Sequence, residues 1–200
     1  MQLSDQLITA LYVLTGVLIF VFIFFYSRYN KFVKLRNRVN TDYSDIEVQL
    51  GRRGSLIQNL ADLVREYAKH ENKTFTRVAE ARSMLENAEN PNEKAQADNM
   101  LTETLRSLFM VSEAYPELKA TTNYQNLRTD LLETENVIAA YREEYNMSVE
   151  EYNNAIQTFP NLVAATVFGY EARQLFESSG SFKIEEPQVS KEKQAKKNEK

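Results

Sequence analysis

Twenty consecutive residues near the start of the chain, Leu7 to Tyr26 (LITALYVLTGVLIFVFIFFY), carry no charge, and fourteen of them are Leu, Ile, Val or Phe. A bilayer's hydrocarbon core takes about 20 apolar helical residues. A buried helix of a soluble protein rarely stays apolar on every face for that long. A cleaved signal peptide fits poorly, because the leading MQLSDQ offers Asp5 in place of a basic patch. The exit, Phe25-Tyr26-Ser27-Arg28, also lacks a small-x-small cleavage pattern. The run therefore predicts one uncleaved transmembrane helix over residues 7–26. Thr9, Tyr12, Thr15 and Gly16 are its least apolar positions. Tyr12 and Phe20 flank Gly16, so no small-xxx-small pair offers a dimerisation face.

Charge then sets an expected orientation. Arg28, Lys31, Lys34, Arg36 and Arg38 follow the span before the first acid, Asp42, whereas residues 1–6 hold only Asp5. The positive-inside rule places the following domain in the cytoplasm and the short N-terminus outside. Arg28, Lys31 and Lys34 are candidates for contact with anionic lipid as well as for setting topology.

The rest of the chain reads as helix. Five glycines and four prolines in 200 residues leave little turn chemistry. Apolar residues recur in three- and four-residue steps at Phe32, Leu35, Val39, Tyr43, Ile46, Leu50, Ile57, Leu60, Val64 and Tyr67. Arg53 occupies the missing position of that stripe. The pattern predicts one long helix running straight on from the span, bent or weakened at Gly51 and Gly54. Phe75, Val78, Ala81 and Leu85 continue in helical phase to about Asn90. Asn90-Pro91-Asn92-Glu93 reads as a helix start, leading to Leu101, Leu105, Leu108 and Val111. Thr122-Asn-Tyr-Gln125 resembles a capping box. It opens a stripe from Tyr124 through Leu131, Ile138, Tyr145 and Tyr152 to Phe159, a helix of about 36 residues or roughly 54 Å. A shorter helix is expected through Leu162, Val163, Val167, Phe168, Leu175 and Phe176. Residues 182–200 are charged and aperiodic and predict a disordered tail. The fold class is all-α: a transmembrane helix followed, over about 28–178, by an elongated antiparallel bundle of four to five helices.

Chemistry-bearing groups are sparse. There is no cysteine, and the lone histidine, His70, lies between Lys69 and Glu71. Thiolate chemistry is excluded, and a zinc or di-iron site has too few ligands. A net charge of −4 argues against nucleic acid as a partner. No cofactor, metal or catalytic residue is expected. Glu133, Glu135, Glu143, Glu144, Glu150 and Glu151 read first as a solvated face, and second as an oxygen-ligand site for a cation. Polar residues at near-core phases stand out: Arg36, Asn37, Arg38, Arg52, Arg53, Asn153 and Asn154. Buried, they need acceptors, for which Asp45, Glu47 and Glu113 are candidates. Such pairs set helix register or line an interaction groove.

Tyr29-Asn30, LRNRV (35–39), SDIEVQL (44–50), Arg52-Arg53, EAYPELKA (113–120), TEN (134–136), YNNAIQTFP (152–160) and FGYE (168–171), in that order, resemble the LemA family. The resemblance covers about residues 29–177. It implies a bacterial single-pass membrane protein with an antiparallel helical domain and no known enzyme activity. A relative in magnetosome membrane formation points to membrane organisation. Tyr43 stands where a Trp is common, Gly51 and Gly54 replace a Lys and a His, and Gln58 stands where a Pro often sits. The leading expectation is a membrane-anchored interaction or scaffold module with a protein partner. The alternative is a tethered sensor that binds a cation or small ligand within the bundle. An acid pair acting on a sugar is the remaining enzymatic option.

Overall fold

The computed structural model describes residues 2–177, with side chains from Thr9 onward. The expected tail over 182–200 lies outside the described residues, as do the side chains of residues 1–8. Among the described residues there are six helices and no strand.

Helix α1 (Gln2–Tyr67) runs unbroken for 66 residues, roughly 99 Å at the usual rise. Its N-terminal third is long and apolar enough to cross a membrane, and none of that apolar window is buried inside the protein. A core helix of a soluble domain would bury it. From Phe32 the same helix enters the bundle. Phe32, Leu35, Val39, Ile46, Leu50, Ile57, Leu60 and Val64 are buried, and Tyr43 is half-buried. The stripe departs from the expected one at its end, where Tyr67 is exposed and Ala68 takes the inward position. The drift follows from a helical period of about 3.6 residues, slightly longer than the roughly 3.5 of a seven-residue repeat.

Both glycines sit within the continuous helix. A Cβ at Gly51 would meet nothing within 4 Å, and one at Gly54 would lie 3.6 Å from Leu85 Cδ2. Gly51 thus carries the entropic cost of a helical glycine with no packing in return. Gly51→Ala is expected to stabilise the protein by about 0.5–1 kcal/mol, or roughly 2 °C in the melting midpoint at this size. Circular dichroism of the detergent-solubilised chain measures it; a lower midpoint would show that the glycine relieves a bend.

After a turn at residues 68–71 the chain folds back. Helix α2 (Asn72–Asn87) descends along α1, with Arg65 stacked 4.6 Å from the centre of the Phe75 ring and Arg82 Nη1 3.4 Å from Gln58 Oε1. At the next turn Asn90 caps α3 (Pro91–Glu113) as the sequence predicts: Glu93 N–H donates to Asn90 Oδ1 at 3.0 Å. The Glu93 carboxylate accepts the Glu89 N–H at 2.8 Å, which chiefly holds its pKa below the usual range. Helix α3 climbs parallel to α1, marked by Lys94–Glu47 at 3.3 Å. A single unforeseen turn, α4 (Pro116–Lys119), precedes α5 (Thr122–Gln157). The cap of α5 is Thr121, one residue before the expected start. Its hydroxyl accepts the Tyr124 N–H at 3.3 Å, while Gln125 reaches back to the Lys119 carbonyl at 2.7 Å.

Helix α5 returns antiparallel to α1 along its whole length. Glu135 meets Arg53 at 2.8 Å, the rings of Tyr145 and Tyr43 lie 5.6 Å apart, and Glu151 meets Arg38 at 3.3 Å. The upper half of the domain is therefore an up-down-up-down bundle of α1, α2, α3 and α5. Below the α2–α3 turn only α1 and α5 continue, and two long helices alone leave core flank open to water.

What covers that flank corrects the expected last helix. Helix α6 spans only Asn161–Val167, and Gly169 then turns the chain at φ +68°, a conformation that glycine adopts without steric cost. Residues 170–177 run extended rather than helical. Tyr170 packs 5.2 Å from the Phe32 ring, and Phe176 is buried. Their apolar residues cover α1 and α5 singly from an extended chain, which is why they show no helical period. Phe159, expected at the end of the α5 stripe, is exposed instead.

Candidate functional site

Two polar constellations tie the bundle together, one in its interior and one at its surface. The first is centred on Arg53, whose side chain is fully buried. Its guanidinium pairs with Asp98 of α3 and with Glu135 of α5 at 2.8 Å, and donates to Thr102 Oγ1 at 3.0 Å. Arg142, one further stretch along α5, approaches Asp98 at 3.5 Å and Glu135 at 4.0 Å. Two cations and two anions thus form a neutral quartet across three helices, the condition under which buried charge is tolerated.

The acceptors differ from those expected. Asp45 is exposed, Glu47 pairs with Lys94, and Glu113 pairs with Lys119. These acids lie off the inward phase of their helices, whereas Asp98 stands three residues before Leu101 on the α3 stripe. A cation at a core position of one helix and an acid at a core position of another is the sequence signal that identifies such a pair. Arg36, Asn37, Arg38 and Arg52 are all exposed, because Leu35, Val39 and Arg53 occupy the inward positions between them. Arg36 stacks 5.5 Å from the Tyr170 ring centre, and Arg38 bridges to Glu151. His70 is exposed at the distal turn, and among the described residues no three His, Cys, Asp or Glu side chains converge as metal ligands would.

The second constellation clamps the extended strap. Asn153 donates to the Arg173 carbonyl at 2.9 Å and accepts the Arg173 N–H at 2.8 Å. Asn146, which sequence reasoning missed, does the same for Phe176 at 3.2 and 2.8 Å. An asparagine amide carries the donor and acceptor of a peptide group, so each serves as one residue of a partner strand. The spacing explains the match. Two asparagines seven apart on a helix stand about 10.5 Å apart, and three residues of extended chain span about 10 Å. Tyr145 and Tyr152 add hydrogen bonds to the carbonyls of Gln174 and Glu171 at 2.8 and 2.9 Å.

Where the strap meets the α2–α3 turn, a cavity of about 330 Å³ opens between Asn40, Tyr43, Asn90, Tyr145, Arg173 and Gln174. The Tyr43 hydroxyl is buried there without a hydrogen-bond partner. Burial, and then the Glu47 charge, raises its pKa; burial likewise raises those of Tyr145, Tyr152 and Tyr170. These phenols stay protonated near neutrality, and those of Tyr145 and Tyr152 act as donors that fix the strap.

The motifs that carry the family resemblance fall on these features. Arg53, from the Arg52-Arg53 pair, and Glu135 of TEN belong to the quartet, while YNNAIQTFP and FGYE build the clamped end nearest the apolar stretch of α1. A model of the LemA family matches residues 42–190. The chain is 26% identical to Magnetosome protein MamQ 2 of Paramagnetospirillum magneticum, over 82% of this chain and 71% of that one. Magnetosome protein MamQ of Magnetospirillum gryphiswaldense matches with the same identity and coverage. Protein LemA of Metamycoplasma hominis is 27% identical, over 72% of this chain and 65% of that one. The family match spans most of the chain and includes both the quartet and the strap: this protein belongs to the LemA family.

Proposed function

We propose that the chain is a single-pass inner-membrane protein whose cytoplasmic bundle is a rigid, non-enzymatic scaffold that holds a protein partner at the membrane surface. The observation that carries this reading is the unbroken α1. An exposed apolar helix passes without a joint into a bundle locked by an internal ion quartet and a clamped strap. Such a body transmits position and suits a fixed platform. The basic residues Arg28, Lys31 and Lys34 at its base support the cytoplasmic orientation, and the relatives' assignment to the magnetosome suits a role in membrane organisation.

The natural absence of cysteine makes the orientation testable with a single introduced thiol. Ser83→Cys, exposed on α2, should react with a membrane-impermeant maleimide only after spheroplasts are opened. Labelling of intact spheroplasts would reverse the topology. For the scaffold role, crosslinking in cells followed by purification of the full chain should recover the same adduct repeatedly. Recovery of the uncrosslinked chain alone, under conditions that crosslink a known membrane complex, would contradict it.

A further inference from the structure

Helix α6 has its amphipathicity turned inside out. Its small residues, Ala164 and Ala165, are buried against the bundle, while Leu162, Val163 and Val167 are exposed at 49%, 49% and 65%. Phe159 just before it and Phe168 just after it are exposed at 80% and 39%. A helix facing water puts its large apolar side chains inward and small or polar ones outward. Residues 158–170 contain no charged side chain, so this outward face has no charged rim of its own.

The position of α6 supplies the reason. Phe168 lies 5.9 Å from Phe25 and 5.2 Å from Tyr29, ring centre to ring centre. Phe25 belongs to the last turn of the uncharged run and Tyr29 follows it by one turn. The α1–α5 register agrees: Glu151 meets Arg38, so Gln157, six residues on, lies near the level of Phe32. The α5–α6 corner therefore occupies the end of the domain that faces the bilayer. Arg28, Lys31 and Lys34 lie at the same height.

The geometry points to α6 and its flanking phenylalanines as a second membrane contact, a foot that inserts into the headgroup and upper acyl region of the leaflet through which α1 emerges. Apolar side chains, flanking aromatic rings and nearby cations are what that interface accommodates. The inference rests on α1 being the span. It adds that the domain lies on the bilayer at two points, which fixes its tilt and rotation where one helix would leave it free to swivel.

The test uses the full chain in vesicles of phosphatidylcholine with phosphatidylglycerol. A fluorophore is attached at Val163→Cys or Val167→Cys, with Val17→Cys and Met110→Cys as references; all four positions are exposed. Lipids carrying a nitroxide high on the acyl chain should quench probes 163 and 167 about two-fold or more, whereas a nitroxide near the chain's methyl end should quench them less. Probe 17 should respond most to the deep nitroxide, and probe 110 to neither. If probe 17 is quenched while 163 and 167 behave like 110, the foot is overturned and the span stands. A second copy or a soluble partner covering this face would produce that result. If probe 17 is also unquenched, the span fails and the foot falls with it. Val163→Glu with Val167→Glu should abolish quenching of a probe at Leu162→Cys while leaving the melting midpoint unchanged.

Discussion

Arg53→Met lowers the stability of the bundle by about 3–5 kcal/mol, the cost of removing one partner from a buried ion pair. In a chain of this size that is a fall of roughly 10 °C in the melting midpoint. The side chain is fully buried, and its guanidinium bonds to Asp98, Glu135 and Thr102 on two other helices. Methionine fills much of the volume but donates nothing. Two carboxylates then face the guanidinium of Arg142, at 3.5 and 4.0 Å, in a largely buried site. Arg52→Met serves as the control, because Arg52 is exposed and surface changes shift stability by about 0.5 kcal/mol or less. Replacing the whole quartet by Arg53→Met, Asp98→Leu, Glu135→Leu and Arg142→Met should recover most of the loss, since apolar packing can substitute for a buried ion network. Urea unfolding in detergent, followed by circular dichroism, separates the three outcomes. A loss below about 1 kcal/mol for Arg53→Met would mean that the site is wet.

The second large effect is local. Asn146→Ala with Asn153→Ala removes four hydrogen bonds between α5 and the strap. At a net 0.5–1.5 kcal/mol each, the strap loses about 3 kcal/mol of local stability. The amides of Arg173 and Phe176, which donate to these two side chains, should exchange with solvent roughly a hundredfold faster. The amides of α3 should be unaffected, because global unfolding governs them. Asn153→Asp discriminates further. It keeps an acceptor for the Arg173 N–H but sets a carboxylate oxygen against the Arg173 carbonyl, so it should loosen the strap nearly as much as alanine. Unchanged exchange at Arg173 in the double variant would show that packing of Tyr170 and Phe176 alone holds the segment.

The long helices were legible because their apolar stripes are long. A three-to-four-residue period kept over nine steps, as from Phe32 to Val64, admits one structure. The cap at Asn90 was legible because its chemistry is local: an acceptor, a proline and an acid within four residues. The strap was not, since an extended segment that pairs with side chains has neither a helical nor a strand period. Leu175 and Phe176 looked like the tail of a helix because spacing cannot tell one covering chain from another. Within the ion quartet, Arg53 was conspicuous as a charge at an inward position. Its partners were hidden because three-dimensional proximity links α1 to residues 45 and 82 positions away. Asp45 and Glu113 looked available only because they were acidic. Their phase places them on the outside.

The account depends on α1 carrying the chain from lipid into the bundle without a joint. Spin labels at Val17→Cys, within the apolar stretch, and Val48→Cys, on the exposed face of the domain, measure this in lipid nanodiscs by pulsed electron resonance. Thirty-one helical residues separate the sites by about 46 Å, so the account predicts a single narrow distance distribution near that value. A broad distribution, or one shifted well below it, would place a hinge at the membrane surface and contradict the rigid, membrane-rooted bundle.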